Sequence, residues 1–195
     1  MNKKDNYHLI DDLPTNLDMR GKPIRIQKLY GVWFAQNKEK RIGELIKVVK
    51  STKDYEDWNP NFTKESLVLL GKWLKENITS RKLTDEEYRE KGRQLPDYIK
   101  IEEYDLTYRS RSLLYDAAVY FGETFIHSHP ELKWEQCLSR AKLYVDVGHM
   151  LIKKNSRIMN PVMQFEILGW GILNGTRDQT MLINLFDIWS EFMDE

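Results

Sequence analysis

The chain has 195 residues, 41% of them apolar and 31% charged, which is the composition of an ordinary globular protein and excludes a disordered one. Thirty Lys and Arg residues balance thirty Asp and Glu residues, so the basic excess of a dedicated nucleic-acid binder is missing. We therefore expect one folded domain with its own core, and no nucleic acid as a partner.

The N-terminal part of the chain predicts an irregular arm followed by helical sequence. Residues 1–22 are polar and contain Pro and Gly, so we expect them to form the arm, with residues 23–195 as a single domain. Apolar residues in 23–35 begin in alternation and then lose it, so this segment is either a strand or a helix. Residues 39–52 have helical apolar spacing.

Two further helices are predicted from their capping residues. Thr63 is a candidate N-cap for a helix that ends near Ile78. The pair formed by Thr84 and Glu87 has the capping-box pattern, so a short helix should follow Thr84 and end before Pro96.

The longest apolar helix is expected over residues 107–127, where Pro130 follows its end. Residues 99–104 form either a short strand or an extended link before it. Residues 133–137 and 143–152 are rich in β-branched and aromatic residues and are the best strand candidates. Residues between the second strand and Pro161 are polar and predict a turn.

The C-terminal part of the chain predicts two helices. Pro161 favours the first position of a helix, and Asn174-Gly175 is a typical helix end. The last helix should span 178–193 and face inward with Met181, Leu182, Leu185, Ile188, Trp189 and Phe192. The expected fold is therefore α+β and predominantly helical, with five or six helices and a small β-sheet.

Charge is distributed unevenly along the chain. Residues 1–100 contain 21 Lys and Arg against 16 Asp and Glu, whereas residues 101–195 contain 9 against 14. Arg177 is the only Lys or Arg after Asn160. Either the two halves attract each other, or an acidic C-terminal face meets a basic partner.

Targeting signals and disulfides are not evident in this sequence. Cys137 is the only cysteine, residues 1–12 are charged, and no apolar run reaches the length of a membrane span. We expect a cytoplasmic protein that has no membrane partner. The sequence leaves the oligomeric state open.

One group of residues has the side chains of a metal site, namely His127, His129, Cys137 and His149, with Glu123 one helical turn before His127. Their spacings match no zinc motif, and His residues are also common at helix ends. A lone Cys between Gln and Leu is typical of a small buried residue. We predict no metal, no cofactor and no catalytic residues.

Four residues are candidates for binding. Asp116 and Glu123 lie two turns apart on one face of the apolar helix, where Arg109 and Arg111 could be their ion-pair partners. We expect a structural network here; general acid–base work with His127 is the alternative. Trp58 lies beside Asp57 in an acidic loop, and an aromatic residue in such a loop is a candidate contact anchor.

Three short motifs resemble a known group of proteins: Tyr115–Glu123 (YDAAVYFGE), Leu132–Trp134 (LKW) and Met159–Pro161 (MNP). Their order resembles a layout of small uncharacterised bacterial proteins, several of which look like immunity or antitoxin partners of secreted or phage-borne toxins. The resemblance covers residues 107–190 and implies a small binding protein without catalytic residues.

The sequence therefore predicts a non-catalytic protein-interaction module, of immunity or anti-defence type, that neutralises a toxin by binding it. Phosphate-binding loops, nucleophile elbows and metalloprotease motifs are missing from the sequence. The alternative is an enzyme that uses Asp116, Glu123 and His127 on the central helix. A homo-oligomer built through the apolar last helix is a third hypothesis.

Overall fold

The computed structural model describes residues 7–94, 101–141 and 144–194. Six helices and five short strands occupy these residues in the following order: α1 (Ile24–Ser51), α2 (Ser66–Asn77), β1 (Ser80–Lys82), α3 (Asp85–Gln94), β2 (Tyr104–Leu106), α4 (Tyr108–Ser128), β3 (Lys133–Gln136), β4 (Met150–Lys154), β5 (Arg157–Met159), α5 (Pro161–Leu173) and α6 (Met181–Asp194). The predicted fold class, α+β and predominantly helical, is confirmed.

Helix α1 joins the two segments that the sequence left separate. Residues 24–35 are helical, because Ile26, Tyr30 and Trp33 continue with a helical period into the second segment. The carbonyl of Pro23 accepts the first backbone hydrogen bonds of the helix, from Ile26 and Gln27. The helix packs against α4.

Helices α2 and α3 begin in different ways. Thr63 does not cap α2: the helix begins at Ser66, whose backbone N–H and hydroxyl both donate to the carbonyl oxygen of Thr63. The capping box of α3 is confirmed, since the Thr84 N–H lies 2.8 Å from Oε2 of Glu87 and the Glu87 N–H lies 3.2 Å from Oγ1 of Thr84.

Helix α4 is the central element of the fold. The hydroxyl of Thr107 accepts from the Ser110 N–H at 3.1 Å and so caps its first turn. Its residues from Ser112 to Phe121 are all buried, because α1, α2 and α5 pack around it. A helix surrounded in this way needs apolar residues on every side, which explains its weak amphipathicity.

The strands form two small antiparallel sheets rather than one. Strand β1 pairs with β2, and β4 lies between β3 and β5. The strand predicted over 143–152 is a strand only from Met150, because residues 144–149 form turns in which Gly148 has a φ of 79°. The predicted polar turn before Pro161 contains strand β5, which a tight turn at Asn155 joins to β4.

The last two helices differ in how well the sequence predicts them. Helix α5 begins at Pro161 and is capped by Asn160, whose Oδ1 accepts from the Met163 N–H at 3.1 Å. Helix α6 faces the core with Met181, Leu182, Phe186 and Met193. The prediction that Ile188 and Phe192 face inward is wrong: both are exposed.

The described part of the N-terminal arm, residues 7–22, contains neither helix nor strand. It nevertheless packs on the helices through the buried side chains of Ile10 and Met19. Its backbone bonds to the domain as well, since the Ile10 N–H lies 3.3 Å from the Ser112 hydroxyl oxygen. The segment is therefore part of the folded structure.

Gly122 on α4 tests the packing between this helix and the three-stranded sheet, and Gly43 on α1 is its control. In Gly122→Ala the new Cβ would overlap the Trp134 ring, so we expect unfolding free energy to fall by about 1–3 kcal/mol. In the control variant Gly43→Ala on α1, the new Cβ has no atom within 4 Å, so we expect the free energy of unfolding to rise by about 0.5–1 kcal/mol. Urea unfolding of both variants measures this, and equal effects would contradict the packing described here.

Candidate functional site

Asp116 lies in a buried ion pair with Arg41, which reaches it from α1. Nε of Arg41 lies 2.7 Å from Oδ1 of the carboxylate, and the terminal nitrogen Nη2 lies 2.6 Å from Oδ2. The Tyr7 hydroxyl donates to Oδ2 at 2.6 Å, and Nη2 also donates to the Tyr7 oxygen and to the carbonyl of His8, each at 3.0 Å. Every group in this cluster is hydrogen bonded, as a buried charge pair requires.

Burial sets the ionisation behaviour of this cluster. It raises the pKa of Asp116 to about 6, and the hydrogen bonds from Arg41 and Tyr7 oppose this increase. Burial also raises the pKa of Tyr7 well above its usual value. Since neither oxygen of Asp116 is exposed to solvent, the cluster holds elements together and is not a site for a ligand.

Glu123 makes a separate set of contacts. Its Oε1 accepts from Nζ of Lys38 at 2.8 Å and from the indole Nε1 of Trp134 at 2.6 Å. Arg111, one of the two possible partners, instead pairs with Asp105 at 2.6 Å and also with Glu166. The guanidinium of Arg109 lies 5.5 Å from the centroid of the Tyr7 ring.

The enzyme hypothesis requires Asp116, Glu123 and His127 to meet in one accessible pocket. His127 instead packs on the ring of Phe62, with a centroid distance of 4.9 Å, and is exposed on its other side. None of the three lines the groove between α5 and α6 or either of the two cavities beside the N-terminal segment. The arrangement that acid–base work by these residues needs is therefore not found among them.

The metal-like residues are also dispersed. His129 stacks on Phe125 at 4.4 Å, and the ring of His149 bonds to the carbonyl of Leu17 at 2.9 Å. Within residues 7–94, 101–141 and 144–194, no three His, Cys, Asp or Glu side chains lie together as a metal site requires. Burial raises the pKa of the Cys137 thiol, which disfavours the reactive thiolate.

Trp58 is part of the hydrophobic core. Only 1% of its surface is exposed, its Nε1 donates to the Ser66 carbonyl at 2.9 Å, and its ring packs 5.3 Å from that of Tyr120. A partner could reach this side chain only if its loop unfolded, so the expectation that Trp58 is a surface contact anchor is wrong. Asp57, beside it, is exposed, and its role stays a prediction.

A groove with a volume of about 630 Å³ separates α5 from α6. It exists because α5 packs on α4 whereas α6 packs on α2, so the two helices contact each other far less than they contact those partners. Leu168 and Met181 line its base, and the loop that joins the helices closes one end with Arg177 and Asp178.

The α6 wall of this groove carries an apolar stripe formed by Leu185, Ile188 and Trp189. These positions repeat at three and four residues, so they share one helix face. Ile188 is 62% exposed, and Ile167, on the α5 wall, is 52% exposed. Apolar side chains that line an open groove together are typical of interaction sites rather than of isolated surface residues.

Acidic residues lie next to the stripe. Asp187 and Glu191 lie one helical turn apart on the exposed side of α6, and Asp194 lies at the end of the helix. Asp187 pairs with Lys64 and Asp194 pairs with Lys154 at 3.3 Å, both at the protein surface. The groove itself also contains Lys75 and Arg177, so its rim has charges of both signs.

Comparison with known proteins gives no relative: no protein-family model, no curated protein and no solved structure matches this chain. In the described ranges, every helix is too short or too polar to span a lipid bilayer. The groove stripe is thus the feature on which a functional proposal rests. Helical spacing alone could not find it, because the same spacing describes a core face and an exposed binding face.

The Asp116 pKa gives a test of this description. We expect its carboxyl carbon to titrate in NMR with a midpoint of about 6, above the usual value near 4. Because the folded pKa is raised, this group contributes stability that is complete below pH 4 and is lost as the pH rises through 6. A midpoint below 4 would show that the hydrogen bonds from Arg41 lower the pKa of Asp116 by more than burial raises it.

Proposed function

We propose that this chain is a non-catalytic protein-interaction module of immunity or antitoxin type, which neutralises a toxin by binding it across the groove between α5 and α6. The observation that carries the proposal is the exposed apolar stripe on α6. A partner helix or loop that places apolar side chains against Ile167 and Ile188 would remove them from water.

The choice of a basic partner rests on charge. The α5 and α6 walls of the groove contain no Lys or Arg, and the exposed side of α6 carries Asp187, Glu191 and Asp194. The basic residues of the groove, Lys75 and Arg177, lie on α2 and on the loop between α5 and α6. Acidic residues beside an apolar stripe favour a partner with Lys and Arg around an apolar anchor, as in a basic nuclease toxin. The resemblance of residues 107–190 to immunity-type proteins supports the same class of partner.

The proposal is tested by a matched pair of variants, Ile188→Glu in the stripe and Val32→Glu on α1. Both residues are exposed, 62% and 54%, so neither change should unfold the protein. We expect the tagged chain to capture a basic protein from its native cell at low salt. After purification, the captured protein should bind the Ile188→Glu variant at least about 30-fold more weakly than it binds Val32→Glu or wild type.

A growth assay then separates a toxin from other partners. The captured protein, expressed alone, should arrest growth, and co-expression with wild type or Val32→Glu should restore growth where Ile188→Glu does not. Equal binding by both variants would exclude the groove as the interface. A captured protein that does not impair growth would exclude the immunity or antitoxin role.

A further inference from the structure

The groove between α5 and α6 has two basic residues, Lys75 and Arg177, at the end that the loop closes. Both side chains are exposed, and within residues 7–94, 101–141 and 144–194 neither of them forms an ion pair or a side-chain hydrogen bond. By contrast, the two lysines on the exposed side of α6, Lys64 and Lys154, each contact a carboxylate of that helix. The positive charge at the closed end is therefore available to a partner.

Arg177 is held in place by the end of α5. The loop that carries it is bonded to this helix, since the Thr176 N–H lies 2.9 Å from the carbonyl oxygen of Gly171. Gly171 has no side chain, and Cγ and Nε of Arg177 lie 2.6 Å and 3.1 Å from the point where a Cβ would be. A larger residue at this position would therefore displace the Arg177 side chain.

Lys75 reaches the same end of the groove from α2. One helical turn earlier, Gly71 has no side chain, so the carbonyl oxygen of Gln179 lies only 2.7 Å from the point where a Cβ would be. Helix α2 thus contacts the loop that carries Arg177. Lys75 lies four residues after Gly71 and so shares the helix face that meets this loop.

Asp178 supplies the negative charge at this end of the groove. Its Oδ1 accepts from the N–H and the hydroxyl of Thr180, at 2.8 Å and 2.6 Å, just before α6 begins. These hydrogen bonds lower the pKa of Asp178, and the positive charge of Lys75 lowers it further. One carboxylate against two cations leaves a net positive charge, so the closed end can accept a further carboxylate.

From this arrangement we propose that the closed end of the groove binds a carboxylate of the partner, on an Asp or Glu side chain of the segment that also carries its apolar anchor. The inference rests on the proposed function for the identity of the partner. Arg binds a carboxylate through two parallel hydrogen bonds, which define a position as well as a charge. Ile188 lies about 10 Å along α6 from Met181, at the end nearest Arg177. In a helical partner segment, the carboxylate should therefore lie about two turns from the side chain that covers Ile188.

Removing the charge of Arg177 tests the inference through the sign of the effect. By calorimetry, we expect the captured protein to bind Arg177→Gln at least about fivefold more weakly than wild type, because its carboxylate loses a charged partner. General attraction of a basic protein to an acidic surface predicts tighter binding instead, since this variant is more acidic than wild type. The control Arg25→Gln removes the same charge from an exposed position on α1 and should bind like wild type.

A second variant, Gly171→Ala, separates the position of the guanidinium from its charge. The new Cβ displaces Arg177 while all charges are retained, so we expect the captured protein to bind at least about threefold more weakly. Alanine is a better helix former than glycine, so this variant should remain folded, which circular dichroism checks.

A small probe makes the test independent of the captured protein. Octanoate carries one carboxylate on an apolar chain, and octan-1-ol has a chain of the same length without the charge. In NMR, octanoate should shift the side-chain Nε–H resonance of Arg177, whereas octan-1-ol should not. In Arg177→Gln, octanoate should bind at least about threefold more weakly and octan-1-ol should be unaffected.

The inference fails if the captured protein binds Arg177→Gln or Gly171→Ala as tightly as wild type, or more tightly. If Ile188→Glu still weakens binding in that case, the proposed function stands and only the carboxylate contact is wrong. Failure to capture any protein counts against the proposed function alone. The inference then fails if octanoate leaves the Arg177 resonance unchanged.

Discussion

Arg41 and Asp116 meet between α1 and α4 at a point where neither side chain reaches solvent. Removing two charges from water is unfavourable, and only the bidentate geometry with further hydrogen bonds offsets that penalty. The additional bonds come from Tyr7 and His8, which belong to the N-terminal segment. We infer that the pair fixes how three parts of the chain fit together, because an apolar pair would stabilise the helices equally well.

The groove that we propose as the interaction surface depends on this arrangement. The segment that Arg41 holds in place continues to Leu17, whose carbonyl oxygen lies 2.9 Å from Nε2 of His149. Helix α4 also supports α5, and α5 forms one wall of the groove. Asp116 is thus bonded inside the protein and Glu123 is bonded to Lys38 and Trp134, whereas the apolar stripe of α6 lies at the surface.

The sequence predicts the local features of this fold well and its long-range features poorly. The capping box at Thr84 and the start of α5 at Pro161 are confirmed because their signals lie within a few residues. The partner of Asp116 is 75 residues away on another helix, so spacing could not identify Arg41. Amphipathicity likewise locates the apolar face of α6, but only tertiary packing decides that Ile188 stays uncovered.

Hydrogen exchange at the Ile10 amide tests the central role of the ion pair most directly, because this amide bonds to Ser112 on α4 through the segment that Arg41 holds. In Arg41→Met, which leaves Asp116 buried without its cation, we expect Ile10 to exchange at least about tenfold faster while the Ile78 amide at the end of α2, which bonds to the Leu74 carbonyl, is unchanged. The double variant Arg41→Met/Asp116→Leu should regain stability and yet keep the faster exchange at Ile10. Unchanged exchange at Ile10 in both variants would contradict the account.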